Sequence, residues 1–244
     1  LAVTGVQTCA LPIFDQMCPS LCDAVTESDN SQATLFMLER NNLFLIALDD
    51  QSNWYRYHHL FRDFLRTQLQ PYQQSHLHQK ASAWYEAHGL LHKAVEHTLA
   101  SGDMDEYARV IGIASRHVFL EGHLTTMLKW IDSLPAERVR ASRELISYKG
   151  WGLVLMGKRE AAEAYAEWAM TSLLGDETQA QLGIPLTLQA YLAVQRGDNV
   201  SGMQLAQQAL AVLDKTDPLL RTFYNGALLS LGHAQRETGN TQAA

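Results

Sequence analysis

Two histidines, His58 and His59, stand where the alternating stretch Trp54-Tyr-Arg-Tyr57 gives way to apolar residues at helical spacing, Leu60, Phe61, Phe64, Leu65 and Leu69. An imidazole at a strand-to-helix junction can donate a hydrogen bond to an anion. The helix N-terminus adds unpaired backbone N–H groups and a favourable dipole, so the combination suits a phosphate. The plainer alternative is one surface histidine and one packed one. A second group, His76, His78, His88, His92 and His97, crowds one region. His88 and His92 straddle Gly89, and His92 and His97 are five apart, so they face differently on one helix. Polar positions on solvated helix faces explain them better than a metal site does. Cys18 and Cys22 are four apart, which is not the redox Cys-x-x-Cys spacing, and they read as buried thiols. The sequence contains no Gly-x-x-x-x-Gly-Lys-Ser/Thr loop, no His-Glu-x-x-His and no Gly-x-Ser-x-Gly, so no catalytic residue and no metal ligand is assigned.

The elements that must position His58 and His59 begin upstream. Phe14 to Val25 has helical spacing, with Pro19 suited to a first turn. Asp29-Asn-Ser31 supplies an N-cap for a second helix, whose core face is Leu35, Phe36 and Leu38. Leu43 to Leu48 reads as a strand, Asp49 to Ser52 as a turn and Trp54 to Tyr57 as the return strand. Helix, hairpin, helix is the order of a winged-helix module. In the helix after the hairpin the apolar stripe is expected to be buried, with Arg62, Asp63 and Arg66 on the opposite side. Pro71 and the Gln-rich run to Ser75 mark a boundary, which gives a winged-helix domain at 14–72 and a helical domain at 73–244. Residues 1–13, above all Val3 to Ile13, resemble translated adapter sequence and are set apart from the fold.

From His76 onward the spacing is helical throughout. Aligned on Gly89, Gly157, Gly197 and Gly239, the chain carries a small residue seven positions before each glycine: Ser82, Gly150, Ala190 and Gly232. Five positions after each stands another: Ala94, Ala162, Gly202 and Ala244. Small residues on both sides of an inter-helix glycine let two antiparallel helices approach closely. Residues Glu121 to Leu134, with Gly122, fill the gap between the first two hairpins. Stacked hairpins form a superhelix with a concave binding surface, and Trp130, Trp151 and Trp168 read as its core. The offsets are similar to the tetratricopeptide pattern.

The 244 residues, with a net charge of −7, lack the clustered basic footprint that duplex binding requires, and no apolar run reaches the roughly 20 residues of a membrane span. Sparse cysteines fit a reducing compartment, so a cytoplasmic location is expected.

Two blocks, LFLIALDDQSNWYRYHHLFRDFLRTQL from Leu43 and HQKASAWYEAHGLLHKAVEHTLAS from His78, strongly resemble the MalT-like large ATP-binding regulators of the LuxR family. The resemblance implies a mainly α fold, a small winged-helix module followed by a tetratricopeptide-like superhelix, from an inducer-responsive transcriptional activator. It implies that ATP or ADP is bound by a nucleotide-binding domain outside this sequence, so no cofactor is expected in the chain itself. Other implied partners are that domain, a small-molecule inducer or protein effector, and further copies in the active form. In the wider class of signal-transducing ATPases a Met-His-Asp-like motif of the winged helix reaches the β-phosphate of ADP. Tyr57-His58-His59 stands in its place, so the resemblance assigns nucleotide sensing to His58; Tyr57 and His59 depart from the motif. A freestanding tetratricopeptide scaffold and an accessory domain of a hydrolase or metalloenzyme are the alternatives.

Overall fold

The computed structural model describes residues 11–49, 53–171 and 182–239. The chain divides into two compact units at the Val110–Ile111 bond.

In the first unit a 3-10 turn at Leu11–Ile13 leads through a bend at Asp15 and Gln16 to Met17. Helices α1 (Pro19–Thr26) and α2 (Ser31–Arg40) follow, then strands β1 (Leu45–Ala47) and β2 (Tyr55–Tyr57) and helix α3 (His59–Arg66). The first helix starts later than its apolar spacing suggests. Phe14 to Met17 are committed to other work, since Met17 exchanges two 2.8 Å backbone hydrogen bonds with Tyr55 and widens the hairpin by one bridge. Pro19 then opens α1 with Cys18 as its N-cap, and both thiols are buried, with burial pushing the Cys22 thiol up. In α2 Leu35 and Leu38 are buried as expected, but Phe36 is exposed and lies under the Arg40 guanidinium. The strands pair antiparallel with Leu45 opposite Tyr57 and Ala47 opposite Tyr55. Asp50 to Ser52 of the expected turn lie outside the described residues, as do Val3 to Ala10 of the adapter-like stretch; Ile13 is buried.

Helix α4 (Pro71–Ala87) begins at the proline itself, because Pro71 needs no N–H partner in the first turn and Gln73 Oε1 accepts from the Gln70 N–H. The Gln-rich run is thus helical. Helix α5 (Leu91–Ser101) folds back on α4, and α6 (Met104–Leu120) carries the chain past Val110.

In the second unit α7 (Leu124–Asp132) and α8 (Ala136–Arg140) are followed by α9 (Arg143–Leu155), α10 (Arg159–Thr171), α11 (Gly183–Gln195), α12 (Asn199–Val212) and α13 (Pro218–Glu237). Helices α9 and α10, and α11 and α12, form antiparallel hairpins, and α13 packs on both α11 and α12. Gly157 and Gly197 end their helices at φ +76° and +84°, a conformation open to glycine at no steric cost, which explains the spacing of the repeat. The small residues meet across two of the turns: Ser82 Oγ donates to the Ala94 carbonyl at 3.0 Å, and the Ala190 carbonyl lies 3.4 Å from where a Cβ on Gly202 would stand, whereas a Cβ on Gly150 would meet Leu188 and Tyr165. Ala244 lies outside the described residues, and no described residue lies within 4 Å of the Cβ position of Gly232. Trp151 is buried against Tyr191 and Phe223, whereas Trp130 and Trp168 are half-buried, the latter under Arg140.

Asp217 caps α13. Its Oδ1 accepts from the backbone N–H groups of Leu219 at 2.9 Å and Leu220 at 3.0 Å, and its Oδ2 pairs with Arg116, so these bonds hold its carboxyl below the usual range. Asp217→Ala is expected to lower stability by about 1–2 kcal/mol in urea unfolding at neutral pH.

Candidate functional site

His58 is the N-cap of α3. Its N–H donates to the Phe44 carbonyl at 2.7 Å, and its own carbonyl accepts from Phe61 and Arg62 at 3.0 Å each, so the residue is pinned to both the strand and the helix it joins. Its imidazole makes no cap bond and packs on His59 at 4.4 Å between ring centroids. His58 is half-buried and His59 exposed. Both line a cavity of about 390 Å³ together with Asp15, Gln16, Ile46, Arg56, Tyr57 and Arg62. The junction therefore gathers two imidazoles, two guanidiniums and one carboxylate beside the N-terminus of an eight-residue helix.

Arg62 escaped sequence reasoning because α3 buries only part of its apolar stripe and turns Arg62 inward. Leu60 is 67% exposed and Phe64 58%, while Leu65 and Leu69 are buried. Arg62 Nη1 donates to Asp15 Oδ1 at 2.6 Å, and Arg66 Nε donates to the Pro12 carbonyl at 2.7 Å. The 3-10 turn offers the Pro12 carbonyl and the bend after it offers the Asp15 carboxylate, acceptors that the arginines of α3 satisfy and that Leu60 and Phe64 cannot. Asp15, forty-seven residues earlier in the chain, gave no sign of this in the sequence.

A second cavity in the same unit, about 590 Å³, is lined by Ile13, Asp15, Gln16, Trp54, His78, Tyr85, Leu90, Lys93, Glu96 and His97. His97 is not a solvated residue as expected. It is 7% exposed, bonded through Nδ1 to His78 Nδ1 at 2.8 Å, and enclosed by the rings of Tyr85 and Phe14. Burial, then the neighbouring His78 and Lys93, push its pKa down to about 3, and burial likewise lowers that of His78. The interior position follows from α5 packing its Ala94-Val95-Thr98 face on α4. Among the described residues no group of three His, Cys, Asp or Glu side chains has metal-binding geometry, and His76, His88 and His92 are exposed. No described helix is long and apolar enough to cross a membrane.

A helix–hairpin–helix module whose second strand runs into a histidine-capped helix, followed by antiparallel helical hairpins, defines a winged-helix protein with a helical-repeat extension. Residues 8–78 match the MalT winged helix domain, and the chain is MalT-like over most of its length. It is 27% identical over 226 residues to the HTH-type transcriptional regulator MalT of Cronobacter sakazakii, covering 91% of this chain and 24% of that protein. With MalT of Vibrio cholerae the identity is 27% over 211 residues, 84% of this chain and 23% of the relative. With the serine/threonine-protein kinase PknK of Mycobacterium tuberculosis it is 30% over 177 residues, 70% of this chain and 16% of the kinase. The chain thus spans between 16% and 24% of these relatives. No solved structure matches it.

Proposed function

We propose that this chain supplies the winged-helix switch and part of the sensing repeat of a MalT-type, ATP-dependent and inducer-responsive transcriptional regulator. The observation that carries the reading is the place of His58, at the mouth of a basic cavity inside a MalT-type winged helix. The residues present suit a phosphate: Arg56, His58, His59 and Arg62 line one cavity, and Arg62 Nε is buried without a hydrogen-bond partner. ADP held by a separate nucleotide-binding domain would be locked by His58 in the resting state. Inducer or a protein effector would engage the repeat and favour the ATP form, which self-associates. Such an effector shifts the balance only by its differential affinity for the two states. The chain itself is expected to carry neither catalysis nor direct nucleic-acid binding. Similarity to both a kinase and transcriptional regulators supports a regulatory module whose output is set elsewhere in the protein.

His58→Ala in the full-length protein tests this. ADP retained through purification is expected to fall severalfold and transcription without inducer to rise. Wild-type nucleotide occupancy together with wild-type basal transcription would remove His58 from the switch.

A further inference from the structure

We infer that Arg56 and Arg62 complete an anion site around His58 and His59, and that Asp15 is a built-in competitor that occupies Arg62 until a phosphate displaces it. The inference rests on the phosphate reading of this cavity and adds to it the ligating arginines and the carboxylate that sets affinity.

The geometry of Arg62 carries the argument. Its side chain is only 23% exposed, and a guanidinium offers five N–H donors in a fixed fork. One donor, Nη1, goes to Asp15 Oδ1 at 2.6 Å. Nε is buried and has no hydrogen-bond partner, its nearest carboxylate oxygen being Asp63 Oδ1 at 3.6 Å. A buried N–H left without a partner costs free energy that an arriving acceptor recovers. The Arg62 fork is therefore under-used on the wall of a cavity that also holds Arg56 and both histidines. A phosphate group, with several acceptor oxygens and more charge than a carboxylate, satisfies such a fork better than one aspartate oxygen does.

Asp15 is suited to yielding. Its side chain is 66% exposed, so an ion pair made by it is weak and its return to water is cheap. It also borders the larger cavity that contains Lys93, so a second cation lines a space open to the same carboxylate. Held in place, Asp15 cancels one of the two guanidinium charges; displaced, it leaves both for the anion. The helix contributes as well, because His58 caps α3 with its carbonyl alone and leaves the first-turn end free of a side-chain acceptor.

The test uses the 244-residue chain, inorganic pyrophosphate as the probe, and calorimetric or NMR titration at low ionic strength. Asp15→Asn is expected to tighten binding at least threefold. Arg62→Gln should weaken it at least fivefold and Arg56→Gln at least twofold, while Arg62→Lys falls between wild type and Arg62→Gln. Glu160→Gln raises the net charge by the same amount as Asp15→Asn, at an exposed position of the other unit, and is expected to change affinity less than twofold. Equal gains from Asp15→Asn and Glu160→Gln would overturn the competitor role of Asp15. If His58→Ala weakens binding while Arg62→Gln does not, the phosphate reading survives and this inference falls. If neither wild type nor Asp15→Asn binds pyrophosphate, this inference falls, while the lock on ADP held by another domain is decided by nucleotide retention in full-length His58→Ala. Thermal unfolding of each variant checks the fold, and should Arg62→Gln fail to fold, the Asp15→Asn comparison decides alone.

Discussion

Gly202→Val is expected to destabilise the second unit by about 2–3 kcal/mol in denaturant unfolding, as insertion of bulk into a close-packed contact does. A Cβ on Gly202 would stand 2.5 Å from Val194 Cγ2, 3.3 Å from the Val194 backbone nitrogen and 3.4 Å from the Ala190 carbonyl oxygen. The Val194 methyl can rotate away. The backbone of α11 cannot move without pulling α11 from α12, whose contact is the most extensive between any two described helices. Gly232→Ala is the control, since Gly232 holds in another repeat the place that Ala190 holds opposite Gly202, but a Cβ there meets no described residue within 4 Å. A glycine in the interior of α13 costs helix stability, so that substitution is expected to raise stability by about 0.5–1 kcal/mol. Equal effects from the two substitutions would mean that close backbone approach at Gly202 does not hold the hairpin together.

The contrast between these glycines shows what the sequence could and could not reveal. Spacing identified Ser82 with Ala94 and Ala190 with Gly202 as facing pairs, because turn chemistry and helix geometry are local and repeat along the chain. Spacing could not show that no described residue faces Gly232, since that depends on what packs against α13. The junction behaved similarly. Strand, turn and helix around His58 were legible from alternation and then helical period, and the backbone bonds of His58 to Phe44, Phe61 and Arg62 follow from that order. The rotation of α3 was not legible. Periodicity identifies an apolar stripe at Leu60 and Phe64, but α3 meets the Pro12 carbonyl and Asp15, which Arg66 and Arg62 satisfy. Arg62 therefore moved from the solvent side of the expected helix to the wall of the site. Phe36 erred in the same direction, being apolar at helical spacing yet stacked under Arg40 at the surface.

His97 is the other residue whose environment reverses its expected role, and it makes the protein acid-sensitive. Its folded pKa of about 3 lies below the ordinary histidine value near 6.5, so between these values the unfolded chain binds a proton that the folded chain refuses. The stability that a neutral His97 contributes is complete above about pH 6.5 and is lost progressively as pH falls toward 3. Each pH unit in that window costs up to about 1.4 kcal/mol, so a loss of about 2 kcal/mol is expected between pH 6.5 and 4.5. His78 acts in the same sense, its own pKa being lowered first by burial and then by Arg66. The groups facing the pair bear on the size of the effect: Lys93 and Arg66 depress His97 further, while Asp15 opposes them. Carboxylates such as Asp217 also lose stability in acid, but their unfolded pKa near 4 places most of that loss below pH 4.5. His97→Phe keeps a ring between Phe14 and Tyr85 and removes the titration. Denaturant unfolding of both proteins at pH 6.5 and 4.5 is the measurement, and the variant is expected to lose less than half of what the wild type loses. Parallel losses would place the acid sensitivity elsewhere and leave the imidazole pair as packing alone.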